Sequence, residues 1–312
     1  MTVEKRPLGR SGIEVAPLAL GGNVFGWTAD EETSFRILDA FVDAGGNMID
    51  TADVYSAWVP GHKGGESERL IGEWLRRRGR RDDVLIATKV GFSEGLSAGV
   101  IERGIEASLE RLGTTHVDLY YSHKDDPETP FEETLGTFDR LVRAGKVRAI
   151  GASQIDAERL EQALAVSADN GLVPYTVLQT WYNMMERPRF EEALAGVAQA
   201  HGLGVLPFYG LANGFLSGTY RSEADLKKSI RGDLVAEYLN DRGLAVLAAL
   251  DEVAAETGAT PAQVALAWTA AQPGVTAPIA SATSMAQLED LIGAMTLELD
   301  AGQLERLRTD SD

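Results

Sequence analysis

VLIATKV, residues 84–90, is apolar on both faces of an extended chain, with a lysine, Lys89, set near its end. A strand of this kind is covered on two sides, the habit of a parallel sheet flanked by helices. Working outward, similar short β-rich runs recur at residues 15–20, 47–50, 117–122, 147–151, 176–179, 204–207 and 275–279. Helical patterns separate them, at residues 31–44, 66–75, 98–111, 131–144, 156–167, 189–200, 239–257 and 284–294. Eight strand units in alternation predict an α/β fold closed into a (β/α)8 TIM barrel. The rival doubly wound sheet needs a GxGxxG turn after its first strand, and GGNVFGW at 21–27 has the wrong glycine spacing. KRPLGRSGIEV at 5–15, with Gly9 and Gly12, predicts an N-terminal β-hairpin that plugs the lower mouth. Residues 208–238, after the seventh strand, form a long loop, and long loops in compact domains are usually functional. With no internal repeat or linker, residues 1–312 read as a single domain.

Composition narrows the function classes. The net charge is −18, which opposes binding to nucleic acid or anionic lipid unless positive charge gathers on one face. Arg76, Arg77, Arg78, Arg80 and Arg81 do gather, but they follow a helical pattern, where cations meet the C-terminal dipole. No cysteine is present, which removes disulfides, thiolate metal sites and cysteinyl nucleophiles. The N-terminus lacks a signal-peptide core and no apolar run is long enough to span a membrane, so a cytoplasmic protein without membrane or nucleic-acid partners is expected.

Barrel enzymes place reactive groups at the C-terminal ends of strands and in the loops beyond. Those positions hold Asp50, Tyr55, Lys89 and His123. A lysine near the end of an apolar strand is expensive to bury unpaired, so it asks for an acidic neighbour. The combination suits acid catalysis by a phenol. Lys89 would lower the pKa of Tyr55, Asp50 would neutralise Lys89, and His123 would orient a carbonyl oxygen. No metal-ligand pattern is legible, and a bound hydride donor is the natural reductant.

The chain resembles the aldo-keto reductases, bacterial members and channel β-subunit-like relatives included. The motifs that carry the resemblance are IDTADVYS at 49–56, GGESERLIGEWL at 64–75, ATKV at 87–90, SLERLGTTHVDLYYSH at 108–123, GKVRAIGAS at 145–153 and GFLSGTY at 214–220. It implies NAD(P)H-dependent reduction of an aldehyde or ketone, with Asp50, Tyr55, Lys89 and His123 as the catalytic tetrad and Tyr55 as general acid. It implies that Ser153, Gln154 and Gln179 hold the nicotinamide carboxamide, although the family usually has asparagine where Gln154 stands. Phe208, or Tyr209 beside it, falls where an aromatic ring stacks on the nicotinamide. Gly22, Asn23 and Asp50 line the cofactor cleft, and Gly210, Leu211, Asn213 and Leu216 would offer N–H groups to the pyrophosphate. Trp27, Tyr55, Trp58, Phe92, His123, Trp181 and Tyr182 would wall the pocket for a small-molecule carbonyl substrate. The resemblance also admits another role, a cofactor-loaded regulatory subunit with little turnover, and a possible homo-oligomer.

Coenzyme choice rests on a departure from the family pattern. NADP(H) is the family expectation, yet Thr283 stands where an arginine usually meets the 2′-phosphate, with Ser281, Ser284 and Gln287 as neutral donors. Thr219 likewise replaces a common lysine. Lys227, Lys228 or Arg231 on the long loop are the cations left to compensate, but Glu289 and Asp290 would oppose a phosphate, so use of NAD(H) is expected as well.

Overall fold

The structure, a computed structural model, describes residues 3–228 and 232–311. Arg231 therefore lies outside the described residues. The chain opens with a hairpin of β1 (Arg6–Pro7) and β2 (Glu14–Val15), paired antiparallel. Eight parallel strands follow: β3 (Ala19–Gly21), β4 (Met48–Asp50), β5 (Leu85–Val90), β6 (Val117–Ser122), β7 (Val147–Ser153), β8 (Val177–Gln179), β9 (Gly204–Val205) and β10 (Ile279–Ala280). β10 lies beside β3, and the Thr276 N–H to Val205 C=O and Ile279 N–H to Pro207 C=O bonds, 2.9 and 2.7 Å, join the last strand region to β9. The sheet is thus a (β/α)8 barrel.

The outer helices are α1 (Glu31–Asp43), α2 (Glu66–Arg78), α3 (Ala98–Leu112), α4 (Phe131–Arg143), α5 (Ala157–Asn170), α6 (Ala195–His201), α7 (Gly232–Val235), α8 (Asp241–Thr257), α9 (Pro261–Ala270), α10 (Met285–Ala294) and α11 (Ala301–Asp310). Asp30, Asp156 and Asn240 cap α1, α5 and α8 by accepting the N–H three residues on. Among the described residues no helix is long and apolar enough to cross a membrane. At the end of α2 and just beyond it, Arg78 and Arg80 pair with Asp83, and Arg81 pairs with Asp118.

Several sequence expectations need adjusting, mostly at prolines. The strand expected at 15–20 is two strands, because Pro17 offers no N–H; Val15 belongs to the hairpin and Ala19 opens the barrel. The strands expected at 204–207 and 275–279 shorten to Gly204–Val205 and Ile279–Ala280, beside Pro207 and Pro278. The helix expected at 189–200 begins with a π-helical turn, Arg189–Leu194. Helix α9 was not anticipated, since it is apolar all round, with Val264, Ala265, Leu266, Ala267 and Trp268 all buried. Its start is nevertheless written in the sequence as a capping box of Thr260 and Gln263 with Pro261 between. The long loop coils into short helical turns at Ala212–Ser217, Glu223–Lys228 and Ala236–Tyr238, with α7 before the last.

The hairpin does plug the barrel. Leu8, Ile13 and Val15 are buried in one cluster with Met48, Ala87, Leu119, Tyr121, Val177 and Leu206 from the barrel strands. Asn47, just before β4, fixes the plug by donating to the Glu14 carbonyl (2.9 Å) and accepting from Ala16 N–H (2.8 Å). Sealing this end leaves the opposite face for chemistry. Gly9 sits at φ +53°, and a Cβ there would lie 2.1 Å from the Gly204 nitrogen. We expect Gly9→Ala to lower stability by about 2 kcal/mol or more, from overpacking against backbone that has no flexible end to move. Urea unfolding measures this; an unchanged midpoint would mean the plug is not seated as described.

Candidate active site

Lys89 is the fixed point of the upper face. Its side chain is wholly buried, and its ammonium has three acceptors: Asp50 Oδ2 at 2.6 Å, the Thr51 carbonyl at 2.8 Å and the Tyr55 hydroxyl oxygen at 2.8 Å. Three donors meet three acceptors, which makes the burial of the charge tolerable. Asp50, at the end of β4, is held on its other oxygen by Gln179 Nε2 at 2.9 Å. Tyr55 comes from the turns that follow β4. Next to it Ser56 takes φ +72° and bonds the Phe25 carbonyl at 3.0 Å, which anchors the turn. Because the Tyr55 oxygen already accepts from Lys89, and Asp50 Oδ2 is 3.4 Å away, the phenolic proton is only weakly engaged.

The expectation that Lys89 lowers the pKa of Tyr55 is not met. Burial and the carboxylate of Asp50 push the phenol well above its ordinary value. Lys89 lies 2.6 Å from Asp50 and 2.8 Å from the Tyr55 oxygen, and burial together with the Asp50 carboxylate outweighs its ammonium. Burial likewise draws the Lys89 ammonium down, against the opposing pull of Asp50. His123, just past β6, is buried and held well below the usual imidazole range by burial and by Lys89. It is therefore a neutral ring at pH 7. It lies edge-to-face with Tyr55 (centroids 6.0 Å) and packs on Phe92 (4.9 Å).

Behind this group lies a charged network that the sequence reading missed. Glu68 on α2 is fully buried, accepts from Thr88 Oγ1 and from Arg111 Nε, both at 2.6 Å, and so clamps β5 one residue before Lys89. Asp53 is close enough to feel it: burial first, then Glu68, raise its carboxyl to about 7, and its Oδ1 is buried without a hydrogen-bond partner among the described residues. The signal available was an acidic residue on the buried side of an amphipathic helix, Glu68 in GGESERLIGEWL.

The residues expected to hold a coenzyme line one side of this group. Ser153 and Gln179 are register partners at the ends of β7 and β8, both buried. Gly22 follows β3, where a Cβ would lie 2.9 Å from Ser67 Oγ and 3.1 Å from the Asp50 carbonyl. Asn23 accepts from Ser281 Oγ at 2.5 Å. Phe208 is half-buried against Trp181 and Tyr209. Tyr209, Ala212 and Asn213 all take positive φ, an unusual cluster for residues other than glycine. Through it the N–H groups of Gly210, Leu211 and Asn213 are left without an acceptor among the described residues, while that of Leu216 donates to the Leu211 carbonyl and is spent. Unpaired N–H groups on a loop of this kind suit an anionic pyrophosphate. Gln154, also at positive φ, turns its amide to the His123 carbonyl instead, at 3.1 Å. Farther out, Thr283 donates through N–H and Oγ1 to Gln287 Oε1, and Ser284 caps α10. Lys228 pairs with Asp225, and Lys227 is exposed.

The aromatic residues divide. Trp27, Trp58 and Tyr55 form an edge-to-face chain at 5.5 and 6.1 Å, Phe92 lies on His123, and Trp181 stacks on Tyr209 at 4.4 Å. Tyr182 does not join them. It is buried against Phe190 and Trp268, and its hydroxyl donates to Glu191 at 2.6 Å. Adjacent residues on an extended segment face opposite ways, so Trp181 and Tyr182 do not share a wall.

The Aldo/keto reductase family profile matches residues 17–310. The chain belongs to the aldo/keto reductase family. Among its relatives is the uncharacterized oxidoreductase YrpG of Bacillus subtilis, 36% identical over 96% of this chain and 93% of that protein. A probable voltage-gated potassium channel subunit beta of Arabidopsis thaliana is 32% identical over 94% of this chain and 91% of its own. The aldo-keto reductase yakc [NADP(+)] of Schizosaccharomyces pombe is 28% identical over 91% and 84%. This aldo/keto reductase thus sits among proteins named as oxidoreductases and as channel subunits.

Asp53 gives the family member a pH signature. Its carboxyl is raised in the folded chain, so its contribution to stability is present below about pH 4 and is lost as the pH climbs through about 7. Asp53→Asn should therefore gain in melting temperature relative to the parent between pH 5 and pH 8. A difference that stays constant across that range would show that Asp53 ionises as an ordinary aspartate.

Proposed function

We propose that this aldo/keto reductase reduces aldehydes or ketones to alcohols, reversibly, with a reduced nicotinamide coenzyme and with Tyr55 as general acid. The observation that carries the reading is the bonding of Lys89: its third N–H lies on the Tyr55 oxygen, so the phenol's own proton points to no strong acceptor. Ser153, Gln179, Phe208 and the free N–H groups of Gly210, Leu211 and Asn213 would hold the coenzyme. Bound reduced nicotinamide supplies a hydride for the carbonyl carbon. The carbonyl oxygen gains the electron pair of its π bond and takes the proton of Tyr55. The phenolate left behind keeps the Lys89 N–H at 2.8 Å, and Asp50 keeps Lys89 in place. His123, neutral, donates to the same oxygen and orients it before transfer.

The mouth argues for apolar carbonyl compounds. Trp58, Phe92 and Tyr209 are large exposed side chains, and each touches a ring that faces the reactive group or the coenzyme cleft. The channel-subunit names among the relatives favour a second reading, a binding subunit with little turnover. Against it, these exposed rings lie on Tyr55, His123 and Trp181 at the site itself.

Two results would test the proposal. Tyr55→Phe should retain coenzyme binding while losing at least about a hundredfold in turnover, the scale of general-acid assistance; full activity would remove the mechanism. The coenzyme ratio follows from the neutral groups at Thr283, Ser284 and Gln287 and from the commitment of Lys228 to Asp225. Catalytic efficiencies with NADPH and NADH should lie within about tenfold, a difference of about 1.4 kcal/mol, and Thr283→Arg should shift the ratio toward NADPH. A parent preference of about a thousandfold for NADPH would contradict this.

A further inference from the structure

We propose that Gln154 is a positioning residue that sets the backbone of His123 and thereby the direction of its imidazole, and that it is not a ligand of the coenzyme. The inference rests on the carbonyl-reductase reading of the site. Gln154 makes two bonds to the segment after β6: its Nε2 donates to the His123 carbonyl at 3.1 Å, and its own carbonyl accepts from Asp125 N–H at 3.3 Å. A third bond, His123 N–H to the Val90 carbonyl at 2.8 Å, completes the fixation of that backbone.

The imidazole needs such support. Its Nδ1 is buried with no hydrogen-bond partner among the described residues, so no bond at that nitrogen defines the ring's rotation. What remains is packing on Phe92 and the edge of Tyr55, together with the placement of the Cα. A shift of the His123 backbone would therefore pass straight to the ring. On the outer side, Arg159 makes a two-pronged bond to Asp125, at 2.8 and 3.0 Å, so residues 123–125 are held from the β7 side both by Gln154 and by α5.

The identity of the side chain fits this role. Gln154 takes φ +47°, a conformation that asparagine tolerates better than glutamine. Glutamine at this position accepts a less comfortable backbone in exchange for one more methylene of reach, and its amide is found on the His123 carbonyl. The strain is thus matched to a bond that the shorter residue is less able to make.

The experiment compares Gln154→Leu, Gln154→Asn, His123→Ala and the double variant Gln154→Leu/His123→Ala. Reduction of an aromatic aldehyde such as 4-nitrobenzaldehyde is followed with NADPH and NADH, and coenzyme dissociation constants are read from quenching of protein fluorescence. Gln154→Leu should lower kcat about tenfold while both coenzyme constants stay within about twofold. The loss should vanish in the His123→Ala background, the mark of a residue acting through another. Gln154→Asn should behave like Gln154→Leu in kcat. Independently of turnover, the chain has four histidines, and labelling their Cε1 gives four signals. His123→Ala identifies one of them, and Gln154→Leu should shift or broaden that signal alone. The other three serve as the check on folding. Should the parent show no turnover, the functional proposal fails while these signals still judge Gln154. A tenfold weakening of NADPH and NADH with an unmoved His123 signal would make Gln154 a coenzyme ligand and overturn the inference. An unmoved signal with unchanged kinetics would overturn it equally.

Discussion

A lysine ammonium enclosed by protein must find an acceptor for each of its protons or give one up, and this requirement organises the upper half of the barrel. Lys89 meets it with a carboxylate, a backbone carbonyl and a phenol drawn from β4 and the turns after it. Each acceptor is then held in turn. Gln179 fixes the second oxygen of Asp50, and Ser67 links the Thr51 hydroxyl to the Gly22 carbonyl. The ends of β3, β4, β5 and β8 are thus tied through polar side chains around one charge, whereas at the lower mouth the side chains that meet are mostly apolar. Removing the charge would leave a buried carboxylate unneutralised, which costs more than the pair contributes.

The field of that lysine is used locally. Burial and the Asp50 carboxylate keep the phenol protonated, and burial and Lys89 keep the imidazole neutral. The site therefore holds two neutral donors beside an internally balanced ion pair. Such an arrangement presents little net charge beneath the exposed rings of Trp58, Phe92 and Tyr209, in keeping with the proposed apolar carbonyl substrates.

Much of this was legible in the sequence because it depends on local chemistry. Doubly apolar runs such as VLIATKV foretell strands buried on both sides, and a lysine at the end of one foretells an acidic partner; Asp50 and Lys89 meet as expected. Prolines set strand limits more tightly than hydrophobicity suggested, as Pro17, Pro207 and Pro278 demonstrate. Helix α9 escaped notice since a helix buried all round has no period to read. The direction of the Tyr55 shift escaped for a different reason. It depends on how two opposite charges and burial combine at distances that spacing along the chain does not define. Similarly, Glu68 and Asp53 come together only after α2 folds over β5, and the inward turn of Tyr182 away from Trp181 follows from chain direction past β8.

Backbone strain in this molecule is segregated. Among the described residues, every residue other than glycine with positive φ, namely Ser56, Gln154, Tyr209, Ala212 and Asn213, lies in a loop on the reactive face. The opposite face is closed by the hairpin and uses glycine where the chain must bend, as at Gly9 and Gly12. Conformational discomfort of this sort persists only while surrounding structure enforces it. The reactive loops therefore stand nearer to local opening than the barrel that carries them. On warming, the geometry of the upper face should decay ahead of global melting, and the same strained loops are the ones that evolution can exchange without disturbing the sealed base.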